Sequence, residues 1–323
     1  MTKPYAVGID LGGTNIKGGL VGRDAAVRVR HSIQTEAEGG AAHVIERIAG
    51  LVEHLLRQGE VEKTETVGVC VGSPGPLNSK TGVIFEAPNL YWRDVPLRDL
   101  LEERLSMPVF VENDANVAAL GEAWAGAARD AECVILLTLG TGVGGGIVIN
   151  GEIWRGVDNV GGELGHVCID FDGPPCNCGS RGCIEAYAAG PAVVRRMREA
   201  IQSGRDSSLK ARFDAGQPVD AEQIHQAALA GDAVARKIIE ETGRLLGVAV
   251  ASYVNIFNPN HVILHGGLVN AGEMLLEPLI DEMKRRCFGV AQEQLTVLPS
   301  ALKGDAGIVG AARGAFMRTK DSA

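Results

Sequence analysis

The chain has 323 residues, 46% of them hydrophobic, enough to bury a substantial core and to divide into two domains. Its 40 acidic and 31 basic side chains leave a net charge of −9 with no basic run, so nucleic-acid binding has no electrostatic footprint. No apolar run approaches the roughly 20 residues that span a bilayer, and Met1-Thr-Lys-Pro leads into a strand pattern rather than a leader. A cytoplasmic protein without membrane or nucleic-acid partners is expected.

In chain order, residues 5–9 and 16–21 read as strands around a glycine turn. Residues 41–58 carry Val44, Ile48, Leu51 and Leu55 at helical spacing. Short β-branched runs at 66–71 and 108–111 predict strands, and the alanine-rich stretch 114–127 predicts a helix capped by Asn113 or Asp114. Residues 133–139 and 145–149 again predict two strands around glycines. A long helix over 232–257, ended by Asn258-Pro259, precedes a strand at 261–265 and a closing helix over 305–317. Its segment 247–257 reads as core before interface. Alternation of this kind predicts an α/β fold. Asp10-Leu-Gly-Gly-Thr-Asn-Ile-Lys-Gly18 echoes Thr138-Leu-Gly-Thr-Gly-Val-Gly-Gly-Gly146, which predicts two related domains, each presenting a hairpin loop to a shared cleft.

In the first loop, Gly12, Gly13, Thr14 and Asn15 follow a strand ending in Asp10. Small residues let backbone N–H groups crowd around phosphate oxygens, and Asp10 can hold magnesium directly or through its waters. No Gly-x-x-x-x-Gly-Lys-Ser/Thr loop occurs there, and a dinucleotide fold is a weak reading. Glu112-Asn113-Asp114 lies between a strand and a helix. A carboxylate there can accept a hydroxyl proton, or Asp114 can simply cap the helix.

Cys176, Cys178 and Cys183 fall within eight positions among glycines, ten to seventeen residues after His166. Turns at Gly179 and Gly182 can aim the thiolates at one point, and His166 completes a Cys₃His set, the closed tetrahedral zinc site of the structural kind. The alternative is a loop of reduced surface cysteines. Cys70, Cys133, Cys168 and Cys287 read as buried small hydrophobes. Glu163 and Glu185 bracket the cluster, and carboxylates held there suit adjacent sugar hydroxyls.

These segments resemble the ROK family (repressors, open reading frames, kinases) of the actin-like ATPase superfamily, from Ala6 to about Ala312. The resemblance rests on Asp10-Leu-Gly-Gly-Thr-Asn, Glu112-Asn-Asp-Ala-Asn, the glycine loop from Thr138, Glu163-Leu-Gly-His166 and Cys176-x-Cys178-Gly-x-x-Gly-Cys183-Ile-Glu185. It implies an actin-like (ribonuclease H-like) fold, two α/β domains flanking a nucleotide and sugar cleft. The expected division is 1–114 with 305–323, against 115–304 with the zinc loop at 166–183.

The resemblance further implies that Asp114 is the general base toward a sugar 6-hydroxyl. Asn89, Asn113, Asp114, Glu163, His166 and Glu185 would hold the sugar, His166 also binding zinc through its other nitrogen. Asp10, Gly12, Gly13, Thr14, Asn15, Lys17, Gly140, Thr141, Gly142, Gly266 and Gly267 would serve MgATP, and Trp92 would lie near the sugar. The implied activity is an ATP-dependent hexose kinase, with glucose the first acceptor and N-acetylglucosamine or N-acetylmannosamine the alternative. A homodimer or homotetramer is expected. The family's repressors carry an N-terminal helix-turn-helix, whereas this chain opens on its first phosphate strand, so the enzyme is expected over the regulator.

Overall fold

The computed structural model describes residues 3–318. Strands β1 (Tyr5–Leu11), β2 (Asn15–Gly22) and β3 (Val27–Gln34) form an antiparallel meander, followed by helix α1 (Gly40–Gln58). Strand β4 (Thr66–Ser73) returns parallel to β1. A small sheet of β5 (Leu77–Asn78), β6 (Val83–Ala87) and β7 (Trp92–Pro96) leads to α2 (Leu97–Leu105), β8 (Val109–Asn113) and α3 (Asp114–Ala125). Strands β9 (Cys133–Leu139), β10 (Val143–Ile149) and β11 (Glu152–Ile153) follow.

Helices α4 (Glu185–Ala188), α5 (Gly190–Gln202), α6 (Lys210–Asp214), α7 (Ala221–Leu229) and α8 (Ala233–Phe257) then precede strand β12 (His261–His265). The described chain closes with α9 (Glu273–Arg286), α10 (Gly289–Gln292), β13 (Thr296–Pro299) and α11 (Ala306–Arg318). The main sheets run β3-β2-β1-β4-β8 and β11-β10-β9-β12-β13. The two orders correspond strand for strand, so the short glycine echo marks a duplicated sheet topology.

The residues pack as two units. The first takes the chain up to Val134, Gly146–Gly162 and the chain from Ser300; the second takes Ile135–Gly145 and Glu163–Pro299. The cuts fall inside β9 and β10. Sequence opens the second domain at 115, whereas packing keeps α3 with the first unit. The reason is backbone contact with α11: a Cβ on Gly121 would lie 2.4 Å from the Ala306 carbonyl oxygen. Residues 319–323 of the expected first domain lie outside the described residues.

The first sheet follows the period-2 rule of a strand covered on both faces. Val7, Ile9 and Leu11 join a core with Val44, Ile48, Leu51 and Leu55 of α1, all at most 2% exposed. Burying each such side chain stabilises the unit by about 1.5–3 kcal/mol. Ala6 faces the other way, into a core with Val117, Ile308 and Ala312. Gly8 leaves room there for α11, since a Cβ would meet the Ile308 carbonyl oxygen. In the second unit α8 packs along α9, with Ala249, Val250, Tyr253 and Val254 buried and Ile256 near its end 69% exposed.

Candidate active site and metal centre

In the first unit the loop between β1 and β2 is held from behind. Thr35, fully buried, donates its hydroxyl to the Gly12 carbonyl at 2.7 Å, and its N–H goes to the Thr14 carbonyl at 2.8 Å. Gly12 N–H closes the turn on Asn15 O at 3.0 Å. With these carbonyls tied down, Thr14 and Asn15 stay exposed. A Cβ on Gly13 would stand 3.0 Å from Asn89 Cβ, so the missing side chain lets this loop touch the segment carrying Asn89.

Asp10 and Lys17 are cross-strand partners, with Lys17 Nζ 3.8 Å from Asp10 Oδ2. Gly307 lies against the same carboxylate, its Cβ position 2.9 Å from Asp10 Cγ. Trp92, expected near the sugar, packs into the core at 3% exposure, and its neighbour Tyr91 is 78% exposed.

The choice between Asn113 and Asp114 as the α3 cap is settled by geometry. Asn113 has extended backbone, and its Oδ1 accepts the N–H groups of Ala115 (2.9 Å) and Asn116 (3.2 Å). Asp114 is therefore the first helical residue, half-buried, with Oδ1 accepting the Ala115 N–H at 2.8 Å. A carboxylate there gains from the helix N-terminal dipole as well. Glu112, absent from the expected site set, is buried just before it and takes Arg155 Nε at 2.7 Å.

In the second unit the loop 140–142 is fixed at three points. Gly140 N–H bonds Gly142 O at 3.0 Å, Gly190 N–H at the start of α5 bonds Gly140 O at 2.8 Å, and Thr138 Oγ1 accepts Gly144 N–H at 3.0 Å. Gly140, Thr141 and Gly267 line one cavity of about 560 Å³. Leu139, Pro191, Val194, Leu268 and Ala271 supply its apolar wall; Arg195, Arg198, Asp220, Glu222 and His225 supply polar groups. Cavities of this size suit small ligands. Gly266, at φ 108° and ψ 174°, brings β12 against β9, because its Cβ position is only 2.4 Å from Leu139 O. Gly142 lies beside Glu185, whose Oε2 accepts the Val143 N–H at 3.0 Å.

The cysteine loop folds on two glycines with positive φ, Gly179 (91°) and Gly182 (66°). Gly179 N–H closes on Cys176 O at 3.0 Å and Cys176 N–H on Ser180 O at 2.9 Å. One donor atom from each of His166, Cys176, Cys178 and Cys183 lies within 4.8 Å of the others. Zinc–sulfur bonds of about 2.3 Å and zinc–nitrogen bonds of about 2.0–2.1 Å imply tetrahedral edges near 3.8 Å for S···S and 3.6 Å for S···N. The Cys178–Cys183 sulfurs are 3.7 Å apart, and Cys176 Sγ lies 3.6 Å from His166 Nδ1. The four residues fit a tetrahedral metal.

Burial pushes the Cys176 thiol up to about 12, while the Ser180 N–H holds Cys178 below the ordinary thiol value. His166 Nε2 points to the other side, 4.0 Å from Glu163 Oε2.

Tyr253, invisible to motif reading, reaches across from α8 and donates its hydroxyl to Leu164 O, fixing the turn between Glu163 and His166. Burial pushes its phenol well above the ordinary tyrosine range, so it stays a donor. Only its position in a long helix hinted at it. Cys70 and Cys287 are buried as expected and Cys133 is half-buried. Cys168 is exposed instead; its backbone pairs with that of Cys183 in an isolated β-bridge at the loop edge rather than in a sheet.

Two α/β units of matching sheet order, glycine hairpins and a Cys₃His centre define a protein of the actin-like ATPase fold. The chain belongs to the ROK family, whose model matches residues 6–316. It is 40% identical to a glucokinase of Thermotoga maritima over 97% of each chain. It is also similar to the crystal structure of a ROK hexokinase from Thermus thermophilus, at 36% identity and TM-score 0.83, covering 98% of this chain and 99% of that one. A ROK family glucokinase from Streptomyces griseus, solved with glucose and AMPPNP, matches at 34% identity and TM-score 0.82, covering 97% and 99%.

Proposed function

We propose that the protein transfers the γ-phosphoryl group of ATP to the 6-hydroxyl of a hexose, with glucose the preferred acceptor. The observation that carries this reading is the whole-length likeness to a glucokinase solved with glucose and AMPPNP.

In this reading Asp114 takes the proton of the 6-hydroxyl as that oxygen attacks the γ-phosphorus, and ADP departs with the electron pair of the broken bond. A positioned base of this kind contributes about 10²–10⁴-fold. Asn89, Asn113, Glu163, His166 and Glu185 hold the sugar hydroxyls. Gly12, Gly13, Thr14 and Asn15, with Gly140, Thr141 and Gly142, offer backbone N–H groups to the phosphates. The 560 Å³ cavity beside Gly267 takes the nucleoside. Asp10 would hold magnesium, which neutralises phosphate charge during transfer, and Lys17 adds a cation beside it.

We assign zinc to His166, Cys176, Cys178 and Cys183. Four ligands leave no open position, so the ion preorganises the loop that ends in Glu185 and lends no chemistry to the transfer. A reducing, cytoplasmic compartment keeps these thiols available, and we expect a homodimer or homotetramer.

Rates of ADP release from MgATP, with glucose, N-acetylglucosamine, N-acetylmannosamine, mannose and fructose compared side by side, test the reading. The highest kcat/KM should fall to glucose. Preference for an acetylated sugar would keep the mechanism and replace the acceptor; inactivity on all five with folded, metal-loaded protein would refute it.

A further inference from the structure

Glu112 is the penultimate residue of β8, just before Asn113 and opposite Gly72 of β4. Its side chain is 6% exposed, so its charge must be compensated in place. The two oxygens divide that task. Oε2 faces the arginines: Arg155 Nε and Nη2 both reach it at 2.7 Å, and Arg318 Nη2 stands at 3.5 Å. Oε1 faces the start of α3, accepting the Asn113 N–H and Asn116 Nδ2, both at 3.1 Å. The Arg155 guanidinium is itself pinned, donating Nη1 to Ile153 O at 3.2 Å.

We propose that the Glu112–Arg155 pair positions the catalytic carboxylate. Arg155 fixes Glu112, and Glu112 fixes the peptide from which Asn113 and Asp114 project. An ion pair serving stability alone has no need to grip the N–H of the residue next to the base. The inference rests on Asp114 being the base. A displacement of about 1 Å in a reacting group can cost 10²-fold in rate, which sets the scale of the expected effect.

Glu112→Gln keeps the shape and an acceptor for Asn113 while removing the charge that holds Arg155. We expect kcat to fall about 10- to 100-fold, with the glucose KM changed less than about threefold. The deciding measurement is a double-mutant cycle. Because Glu112 acts through Asp114, adding Glu112→Gln to Asp114→Asn should lower kcat less than about twofold further. Equal losses in both backgrounds, or an unchanged kcat for Glu112→Gln alone, overturn the proposal. Arg155→Lys, which keeps the buried charge pair but not the paired N–H groups, carries the same cycle if Glu112→Gln does not fold. Asp114→Asn at the wild-type rate removes the base reading and this inference with it; a slow Asp114→Asn with additive losses removes this inference alone.

Discussion

Replacing Gly266 by alanine tests how closely β12 and β9 are joined beneath the 560 Å³ cavity. The residue has φ 108° and ψ 174°, a region open almost only to glycine. An alanine Cβ would stand 2.4 Å from Leu139 O and 2.8 Å from Leu139 C, which are backbone atoms and cannot rotate away. Backbone strain of about 1–3 kcal/mol adds to overpacking of about 1–3 kcal/mol. Gly266→Ala should therefore destabilise the protein by roughly 2–6 kcal/mol. Leu139 and Gly267 line the cavity proposed for the nucleoside, so on that reading the shift also displaces its wall and should raise the MgATP KM about tenfold or more, leaving the glucose KM within about twofold.

Gly267 is the internal control, because a Cβ there meets nothing within 4 Å and its φ is not positive. Urea unfolding and initial rates against MgATP and glucose, run on both variants, decide the matter. If Gly266→Ala and Gly267→Ala unfold at the same urea concentration as the parent, the close-approach reasoning is wrong.

Three further outcomes follow from the site and its supports. Asp114→Asn should lower kcat about 10²-fold or more while leaving glucose affinity, measured by calorimetry, nearly intact; lost binding with normal residual turnover would assign it to sugar recognition instead. Cys178→Ala should release the metal, measured by elemental analysis, raise the sugar KM and lower stability; a metal-free variant with full activity would show the loop to be preorganised without an ion.

Asp232 caps α8, accepting the Val234 and Ala235 N–H groups at 3.0 Å and the Ser207 and Ser208 hydroxyls. Burial works against its charge, but these donors together hold its carboxyl below the ordinary value of 3.8. A depressed folded-state pKa means that the stabilisation is complete above the ordinary, unfolded-state value and is lost as pH falls from there through the folded-state pKa. Asp232→Ala should cost about 1 kcal/mol at pH 7, with the gap from the parent narrowing in unfolding curves taken below pH 4.

Local signals made much of this protein legible. The helix at Gly40–Gln58 was written in the spacing of Val44, Ile48, Leu51 and Leu55, and the strand at His261–His265 in a β-branched run closed by glycines. The cysteine loop was equally plain, because Gly179 and Gly182 announce the turns that bring the thiolates together. The β5–β6–β7 sheet was not, since β5 has two residues and no periodicity to display. The glycine echo carried more than its length promised, marking sheets that match in order along all five strands.

Residue chemistry and near-neighbour spacing are properties of the chain, and they alone determined the donor set of the candidate metal centre, the two glycine hairpins and the family. What each group touches depends on segments far apart in sequence, which no linear pattern encodes. Tertiary structure alone decided that Trp92 lies in the core, that Cys168 is exposed and that Tyr253 grips Leu164. Asn113 takes the capping bonds through its extended backbone at the strand–helix junction, which leaves Asp114 as the first residue of α3. Glu112 finds its partner inside the fold because Arg155, 43 positions further along the chain, is brought within 2.7 Å of it. Burial makes that partner obligatory, and only folding supplies it.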